Sequence, residues 1–199
     1  MKMYLNVPYR EKDQAKKLGA KWDPQTKKWY IDEDASLEEF QSWLPAYLYI
    51  VIGKQQCWLC KKETRVVSFG VPYIFDVVWS LALLPRLECI PYEIRKYILD
   101  QGINYKKKFS KTTGLYQLNN CCEHCDSLQG EFFLFNEPDS PFLPNTFEEM
   151  QELAFYRVKL PAPVTGSISF WELTGTELFP YAEANHEKID LDIVEIIRA

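Results

Sequence analysis

The residues of this 199-residue chain with the most evident chemistry are its six cysteines. Four of them form two C-x2-C pairs, Cys57 with Cys60 and Cys122 with Cys125. Two thiolates separated by two residues on a tight turn can face one tetrahedral ion at about 2.3 Å, and a second pair completes the ligand set. The spacing therefore predicts one Zn2+ site with the ligands Cys57, Cys60, Cys122 and Cys125.

Other interpretations of the cysteines are structural disulfides, a redox C-x2-C motif or unrelated buried thiols. The first residues lack the features of a secretory signal, which disfavours disulfides, and a redox motif accounts for one pair but not for two. Cys121 is an alternative to Cys122 as the third ligand, in a C-x3-C pairing. Cys89 is expected to be a small buried residue, and His124 is expected to face solvent rather than to bind the ion.

Four protein ligands leave no coordination position for water, so the predicted site is structural and metal-assisted hydrolysis is disfavoured. The sequence contains no P-loop, G-x-G-x-x-G, G-x-S-x-G or H-E-x-x-H motif. Only His124 and His186 are available to activate a nucleophile. The sequence therefore predicts a protein that is not an enzyme.

The elements that hold the two pairs are expected to be strands. Each pair is followed by a predicted strand, 66–69 and 131–135, as in a zinc ribbon whose knuckles lie at hairpin tips. The segment between the pairs is longer than a minimal ribbon needs, which predicts an insertion that contains a helix over 91–101. Residues 71–84 form an apolar element whose type the pattern leaves open.

The first 45 residues are predicted to form a small β-α-β-β unit. A strand over 3–8, a helix over 10–19 and a hairpin over 21–31 follow from the apolar pattern and the Gly19 and Pro24 positions. A further helix over 36–44 is predicted from a capping box and helical apolar spacing, and we place a domain boundary near residue 45.

Lysines alternate with aromatic residues along this unit. Lysine can pair with phosphates and an aromatic face can stack on a base, although in so small a unit Trp22 and Trp29 are more often core residues than stacking surfaces. The candidate nucleic-acid-binding residues are Lys16, Lys17, Lys21, Trp22, Lys27, Lys28, Trp29 and Tyr30.

Residues 4–31 closely resemble a small bacterial family. The resemblance rests on the stretches Tyr4-Leu5-Asn6-Val7-Pro8-Tyr9, Leu18-Gly19-Ala20-Lys21-Trp22-Asp23-Pro24 and Trp29-Tyr30. That family is known only as a domain of unknown function that recurs in plasmid and phage proteins and is attached to plasmid-type primases. Its core is also similar to the DNA-binding repeat domain of annealing helicases. The resemblance implies a setting in mobile elements or DNA metabolism and supplies no catalytic residues.

The last third of the chain is predicted to be an acidic, β-rich tail over 137–199. A helix is expected after the capping box at Thr146, and strands are expected over 155–160, 167–173 and 189–197 with His186 in a polar turn. The predicted fold class is α+β, with domains at 1–45, 46–136 and 137–199, the last packed on the second.

The formal net charge of −5 is distributed unevenly along the chain. Residues 1–56 carry +1, residues 57–130 carry +3 and residues 131–199 carry −9. Local basic patches therefore allow a DNA or RNA partner in spite of the acidic total. We predict a cytoplasmic, zinc-binding, nucleic-acid-binding accessory protein of bacterial or mobile-element origin, in which Lys106–Lys111 also contacts phosphates.

The alternative function is a protein-interaction adaptor or inhibitor. In that case the acidic residues of 131–199 would bind a host or plasmid protein. The longest apolar run, residues 71–84, is shorter than the about 20 residues of a spanning helix, so no membrane partner is expected.

Overall fold

The computed structural model describes residues 2–32, 35–44, 46–75, 78–87, 90–161 and 177–193. It contains both strands and helices, which confirms the α+β class. The strands are β1 (Lys2–Leu5), β2 (Lys21–Asp23), β3 (Lys28–Asp32), β4 (Tyr47–Gln56), β5 (Glu63–Phe75), β6 (Val78–Leu84), β7 (Tyr105–Ser110), β8 (Leu115–Asn120), β9 (Ala154–Lys159) and β10 (His186–Ile189). The α-helices are α1 (Lys12–Lys17), α2 (Tyr92–Asp100), α3 (Glu131–Phe135), α4 (Phe147–Gln151) and α5 (Leu178–Ala184). Two 3-10 helices span Tyr9–Glu11 and Leu37–Trp43.

The amino-terminal unit is an antiparallel sheet in the order β1-β3-β2 with helices on one face. The predicted β-α-β-β order is present, and α1 is followed by Gly19 at a φ of +103°, a left-handed conformation that ends the helix. The predicted helix over 36–44 is a 3-10 helix instead, in which the Glu39 amide donates to the carbonyl of Ser36. Its buried core consists of Leu5, Ala15, Ala20, Ile31, Phe40 and Trp43.

A five-stranded sheet in the order β10-β9-β4-β5-β6 forms the centre of the rest of the chain. Among the strand pairs of this sheet that the structure describes, only β9–β10 is parallel. Along β4, Leu48 and Ile50 pack with α2 and β7, whereas Tyr49 and Val51 pack with α3, α4 and α5. Because both faces of β4 are covered, residues 47–52 are continuously apolar and carry little alternation.

The apolar segment 71–84, whose type the sequence leaves open, is strand over the residues that the structure describes. The described part of that segment completes β5 and forms β6, and the two strands pair antiparallel from Phe69–Leu84 to Phe75–Val78. A fully buried strand has no polar face to reveal its period, so its pattern does not differ from that of a buried helix.

Several predicted elements are wrong or shifted. Residues 131–135 form α3 and not a strand, because the short apolar run Glu131–Phe135 buries Leu134 and Phe135 on one side of a helical turn that follows Gly130. β10 ends at Ile189, so residues 190–193 of the predicted strand over 189–197 do not form a strand, and residues 194–197 lie outside the described residues. His186 is the first residue of β10 and does not lie in a turn. The predicted strand over 167–173, and Cys89, lie outside the described residues.

The predicted tail contributes strands to the central sheet. β9 pairs antiparallel with β4 over Tyr47–Lys159 to Ile52–Ala154. The domain boundaries near 45 and 136 stay a prediction. Across the described segments, no helix has the length and apolar character needed to cross a membrane.

Candidate metal centre

The structure brings four of the six cysteines together. Their sulfur atoms all lie within 4.8 Å of one another. Cys57 Sγ is 3.7 Å from Cys125 Sγ, and Cys60 Sγ is 3.6 Å from Cys122 Sγ. Four thiolates placed tetrahedrally at about 2.3 Å from an ion are separated by about 3.8 Å. The cluster therefore has the size needed to hold one metal ion.

The first knuckle is the tip of the β4–β5 hairpin. The Cys57 amide donates to the carbonyl of Lys62 (2.9 Å), and the Lys61 amide donates to the carbonyl of Cys57 (3.0 Å). Lys61 closes the turn with a φ of +61°. This tight turn places Cys57 and Cys60 side by side at the end of the hairpin.

The second knuckle repeats the same turn at the end of β8. The Cys122 amide donates to the carbonyl of Ser127 (2.8 Å), and the Asp126 amide donates to the carbonyl of Cys122 (3.0 Å). Asp126 has a φ of +63°, at the same offset from its pair as Lys61 in the first knuckle. Both cysteine pairs are held by equivalent backbone hydrogen bonds, so the two knuckles have the same turn structure. The two knuckles face each other.

Cys121 is not a member of the cluster. It forms an isolated bridge with Leu128, and its thiol donates to the carbonyl of Asn119 (3.8 Å). Burial raises the pKa of Cys121. Of the two adjacent cysteines, Cys122 is the one that lies among the other sulfurs.

Ser127 and Gln129 lie within hydrogen-bond distance of the sulfurs, and the sequence prediction identified neither residue. The Ser127 hydroxyl lies 3.1 Å from Cys57 Sγ and 3.2 Å from Cys125 Sγ. The buried Gln129 amide donates to Cys57 Sγ (3.5 Å) and to the Ser127 hydroxyl (3.0 Å), while its oxygen accepts from Gln55 (2.7 Å). Their positions two and four residues after the last cysteine carry no motif that would have identified them.

These donors and the neighbouring sulfurs affect the thiols in opposite directions. Burial opposes the ionisation of Cys57, but hydrogen bonds from Ser127 and from the backbone of Cys60 and Leu59 lower its pKa to about 5. The Lys62 amide favours the Cys60 thiolate, but burial and the other three sulfurs raise the pKa of Cys60 to about 11. Thiolates at such close range repel one another, and a bound cation would offset that repulsion.

A set of polar contacts ties the second knuckle to β5. The Arg65 side chain donates to the Glu123 carboxylate through Nε (2.9 Å) and Nη2 (2.6 Å). The Glu123 amide donates to the Thr64 hydroxyl (3.0 Å). Burial raises the pKa of Glu123, yet the Arg65 contacts outweigh this and hold it below its ordinary value. The two knuckles are therefore joined by protein contacts as well as by their sulfurs.

His124 is exposed and its Nε2 lies 2.9 Å from the carbonyl of Glu63. It is not part of the sulfur cluster, in agreement with the expectation that it faces solvent.

The eight candidate nucleic-acid-binding residues do not share one surface. Lys21 pairs with Tyr30, and Trp22 pairs with Trp29, so the two rows project from opposite faces of the sheet. Lys28 lies on the Tyr30 side, two residues away along β3. The remaining candidates belong to α1 or to the β2–β3 turn, and they are Lys16, Lys17 and Lys27.

The tryptophans are on the side that carries the core. Trp29 is partly buried against the amino-terminal core, and Trp22 at the sheet edge is 49% exposed. Their rings meet edge to face with centroids 5.6 Å apart. Core packing therefore accounts for Trp29 and in part for Trp22.

The other side, which we call the open sheet face, includes Tyr4, Lys21, Lys28 and Tyr30, together with the carboxylates of Asp23 and Asp32. Tyr4 and Tyr30 meet edge to face with centroids 6.3 Å apart. Lys21 forms an ion pair with Asp32, and Lys28 is exposed. The sequence prediction missed Tyr4 as a member of this face because the residue lies on β1, far along the chain from Lys21, Lys28 and Tyr30.

Asp23 explains the Asp-Pro sequence of the β2–β3 turn. Its carboxylate accepts from the amides of Gln25 (2.9 Å) and Thr26 (3.4 Å) and from the Tyr4 hydroxyl (2.7 Å). The residue is buried and holds the turn in place.

Comparison with known proteins bears on the same part of the chain. Residues 2–45 match the family described as "Domain of unknown function (DUF5710)". Two Escherichia coli proteins named "DNA primase TraC" are each 48% identical to this chain, one over 42 residues and one over 40. These matches cover 21% and 20% of this chain and only 3% and 4% of the two relatives. The resemblance of the amino-terminal residues to a primase-associated family is thereby confirmed.

The remainder of the chain lies outside these matches. No solved structure matches the chain.

Proposed function

We propose that the protein binds one structural Zn2+ through Cys57, Cys60, Cys122 and Cys125. The observation that carries this proposal is the spacing of the four sulfurs, with contacts of 3.6 and 3.7 Å between the two knuckles. A set of four thiolates favours zinc over harder cations such as Mg2+. Because the protein fills all four positions, the ion would stabilise the fold and would not activate water, which supports a role without catalysis.

The test is metal analysis of the purified protein, with about one zinc expected per chain. Cys57→Ser should abolish stoichiometric zinc and destabilise the central region, because metal binding is part of the folding free energy of such sites. Cys121→Ser is the matched control, since Cys121 lies outside the cluster, and this variant should retain its zinc. Metal-free wild-type protein that stays fully folded after exhaustive chelation would contradict the proposal.

We further propose that the protein is an accessory protein that contacts nucleic acid through the open sheet face. The support is the 48% identity of its first residues to proteins named as DNA primases, together with lysines and tyrosines that share one solvent-facing surface. Lys28 would pair with phosphates, Lys21 would do so in exchange for its ion pair with Asp32, and Tyr30 would stack on a base, as aromatic residues on small sheets do. We also propose that the protein is cytoplasmic and of bacterial or mobile-element origin. In the cytoplasm its cysteines would stay reduced.

The decisive experiment is a titration of the full-length protein with single- and double-stranded DNA and RNA over a range of salt concentrations. The double variant Lys21→Gln/Lys28→Gln should weaken binding and reduce the slope of log affinity against log salt by about 1.4–1.8. Lys16→Gln/Lys17→Gln on α1 is the charge-matched control and should stay close to the wild type. Absent binding at low salt, or affinity that does not change with salt, would overturn the proposal.

A protein partner is the second candidate. Residues 137–152 contain five acidic and no basic side chains, and within the described residues none of the five forms an ion pair. A strongly acidic surface of this kind suits a basic protein partner. Capture of a host protein that is lost when Glu148 and Glu152 are changed to Gln would support this function, whereas recovery of nucleic acid alone would exclude it.

A further inference from the structure

The β7–β8 hairpin presents two chemically different faces. Its register pairs Lys106 with Asn119 and Lys108 with Gln117, and it pairs Lys107 with Leu118. Because side chains alternate along a strand, the first two pairs share one face and the third lies on the other. The triple lysine of β7 is thereby divided between the two faces.

The first face is bound to the second knuckle. Lys106 Nζ lies 2.6 Å from Asp126 Oδ1, and Lys108 Nζ lies 3.0 Å from Asp126 Oδ2. Asn104 donates to the same carboxylate (3.0 Å) and to the carbonyl of Cys122 (3.0 Å). These contacts use the positive charges of Lys106 and Lys108 to fix the hairpin on the metal centre, so they leave little charge for a ligand.

The opposite face carries an exposed aromatic pair. Phe109 and Tyr116 are direct cross-strand partners, with ring centroids 5.1 Å apart and ring planes inclined at 51°. They are 44% and 69% exposed, whereas Tyr105 on the same face nearer the core is fully buried. The outer half of this face therefore offers aromatic surface to solvent.

All charged side chains of the β7–β8 hairpin are positive. Residues 105–120 contain four lysines and no acidic residue. Lys107 lies beside the aromatic pair on the same face, and Lys111 lies in the turn; in the described part of the chain, neither forms an ion pair. One cation on the face of the exposed rings and another in the adjoining turn are complementary to a polyanion with flat apolar groups.

We propose that Lys107, Phe109, Lys111 and Tyr116 form a binding site for single-stranded nucleic acid, distinct from the open sheet face. The proposal rests on the nucleic-acid-binding function put forward above and adds a second contact with strand preference. Phe109 and Tyr116 stack on bases whose faces are free, and Lys107 and Lys111 pair with the flanking phosphates. A duplex buries its base faces, so it can use only the lysines.

The experiment measures the affinity of the full-length, zinc-loaded protein for an oligothymidylate, an oligouridylate and a duplex. Tyr116→Leu and Phe109→Leu should each weaken binding to both single strands by at least about fivefold and should change duplex binding much less. Tyr92→Leu is the matched control, because Tyr92 is 72% exposed on α2. Equal losses on the oligothymidylate and the oligouridylate indicate a site that does not read the sugar, and a loss on only one identifies that polymer as the ligand.

A charge series completes the test. Lys107→Gln/Lys111→Gln should lower the salt slope on single strands by about 1.4. Lys159→Gln/Lys188→Gln removes the same charge from β9 and β10 and should leave the slope close to that of the wild type. Zinc content and circular dichroism identical to the wild type show that a variant remains folded.

The outcomes separate the two proposals. If the wild-type protein binds no nucleic acid, the proposed function fails. If it binds and the hairpin variants behave like their controls, only the hairpin site is overturned. Equal losses on duplex and single strands would also overturn the hairpin site as a stacking surface.

Discussion

At the scale of single residues, the proposed metal centre depends on side chains outside the four cysteines. Ser127 and Gln129 form a short network from Gln55 to the sulfurs of Cys57 and Cys125. Groups that hydrogen-bond to metal ligands orient them and reduce their mutual repulsion, and losing one typically lowers metal affinity by about 10–100-fold. Within the described residues, Ser127 is the only member of this network that contacts a sulfur of each knuckle.

Ser127→Ala should therefore lower the affinity for zinc by about tenfold without unfolding the protein. The measurement is competition with a chromophoric chelator. Ser140→Ala is the matched control, since the buried Ser140 hydroxyl has no hydrogen-bond partner in the described segments. An unchanged affinity for zinc in Ser127→Ala would show that the Ser127 hydroxyl does not contribute to zinc binding.

At the scale of elements, one carboxylate of α5 bonds to the central sheet and adds to the apolar packing of Leu178 and Ala182. Glu183 Oε1 accepts from the hydroxyls of Tyr47 (3.0 Å) and Tyr49, and Arg157 lies 3.3 Å away. Burial raises the pKa of Glu183, but the bonds from Tyr49 and Tyr47 and the charge of Arg157 outweigh it and hold the pKa below its ordinary value. The folded state thus favours the ionised carboxylate.

The sign of the pH effect follows from that depressed pKa. The stabilisation by Glu183 is fully present above the unfolded carboxyl pKa of about 4.3 and is lost as the pH falls through the lower folded value. Glu183→Gln should lower the free energy of unfolding at neutral pH by about 1.5 kcal/mol, at the low end for bonds to a charged group because Glu183 is 37% exposed. It should also lose less stability in acid than the wild type.

Denaturant unfolding at several pH values checks both expectations. Glu187→Gln on β10 is the control, because Glu187 is exposed and forms no ion pair within the described residues. A Glu183 variant with the same acid dependence as the wild type would contradict the assignment.

The elements that could be predicted from the sequence are those with a helix cap or stop residue, or with alternating polar and apolar residues. Gly19 marks the end of α1, and Thr146 with Glu149 caps α4, where both reciprocal hydrogen bonds are present. The run 131–135 has no side-chain cap and no alternation, and as a helix it packs Leu134 and Phe135 into the core on one face of the sheet. The four cysteines were predictable because ligand spacing is a local constraint, whereas Ser127, Gln129 and Tyr4 reach their sites through tertiary contacts.

At the scale of the whole molecule, the buried residues form separate clusters. Leu5, Ile31, Phe40 and Trp43 belong to a core confined to the amino-terminal unit, and the Trp43 indole donates to Glu11 within that unit (2.7 Å). The other two clusters lie on the two faces of the central sheet. The cysteine cluster lies at the tip of the β4–β5 hairpin, so it belongs to the part of the molecule that is built on the central sheet.

Metal removal should consequently affect one part of the molecule far more than the other. Four thiols without a cation repel one another once ionised, so chelation should loosen the two knuckles and the hairpin that Asp126 holds. Hydrogen exchange monitored by mass spectrometry should then show faster exchange in residues 54–64 and 104–130 and little change in residues 2–32. Adding zinc back should restore protection, which separates metal loss from irreversible oxidation. Equal loss of protection in residues 2–32 would mean that the amino-terminal core depends on the metal centre, in spite of its separate packing.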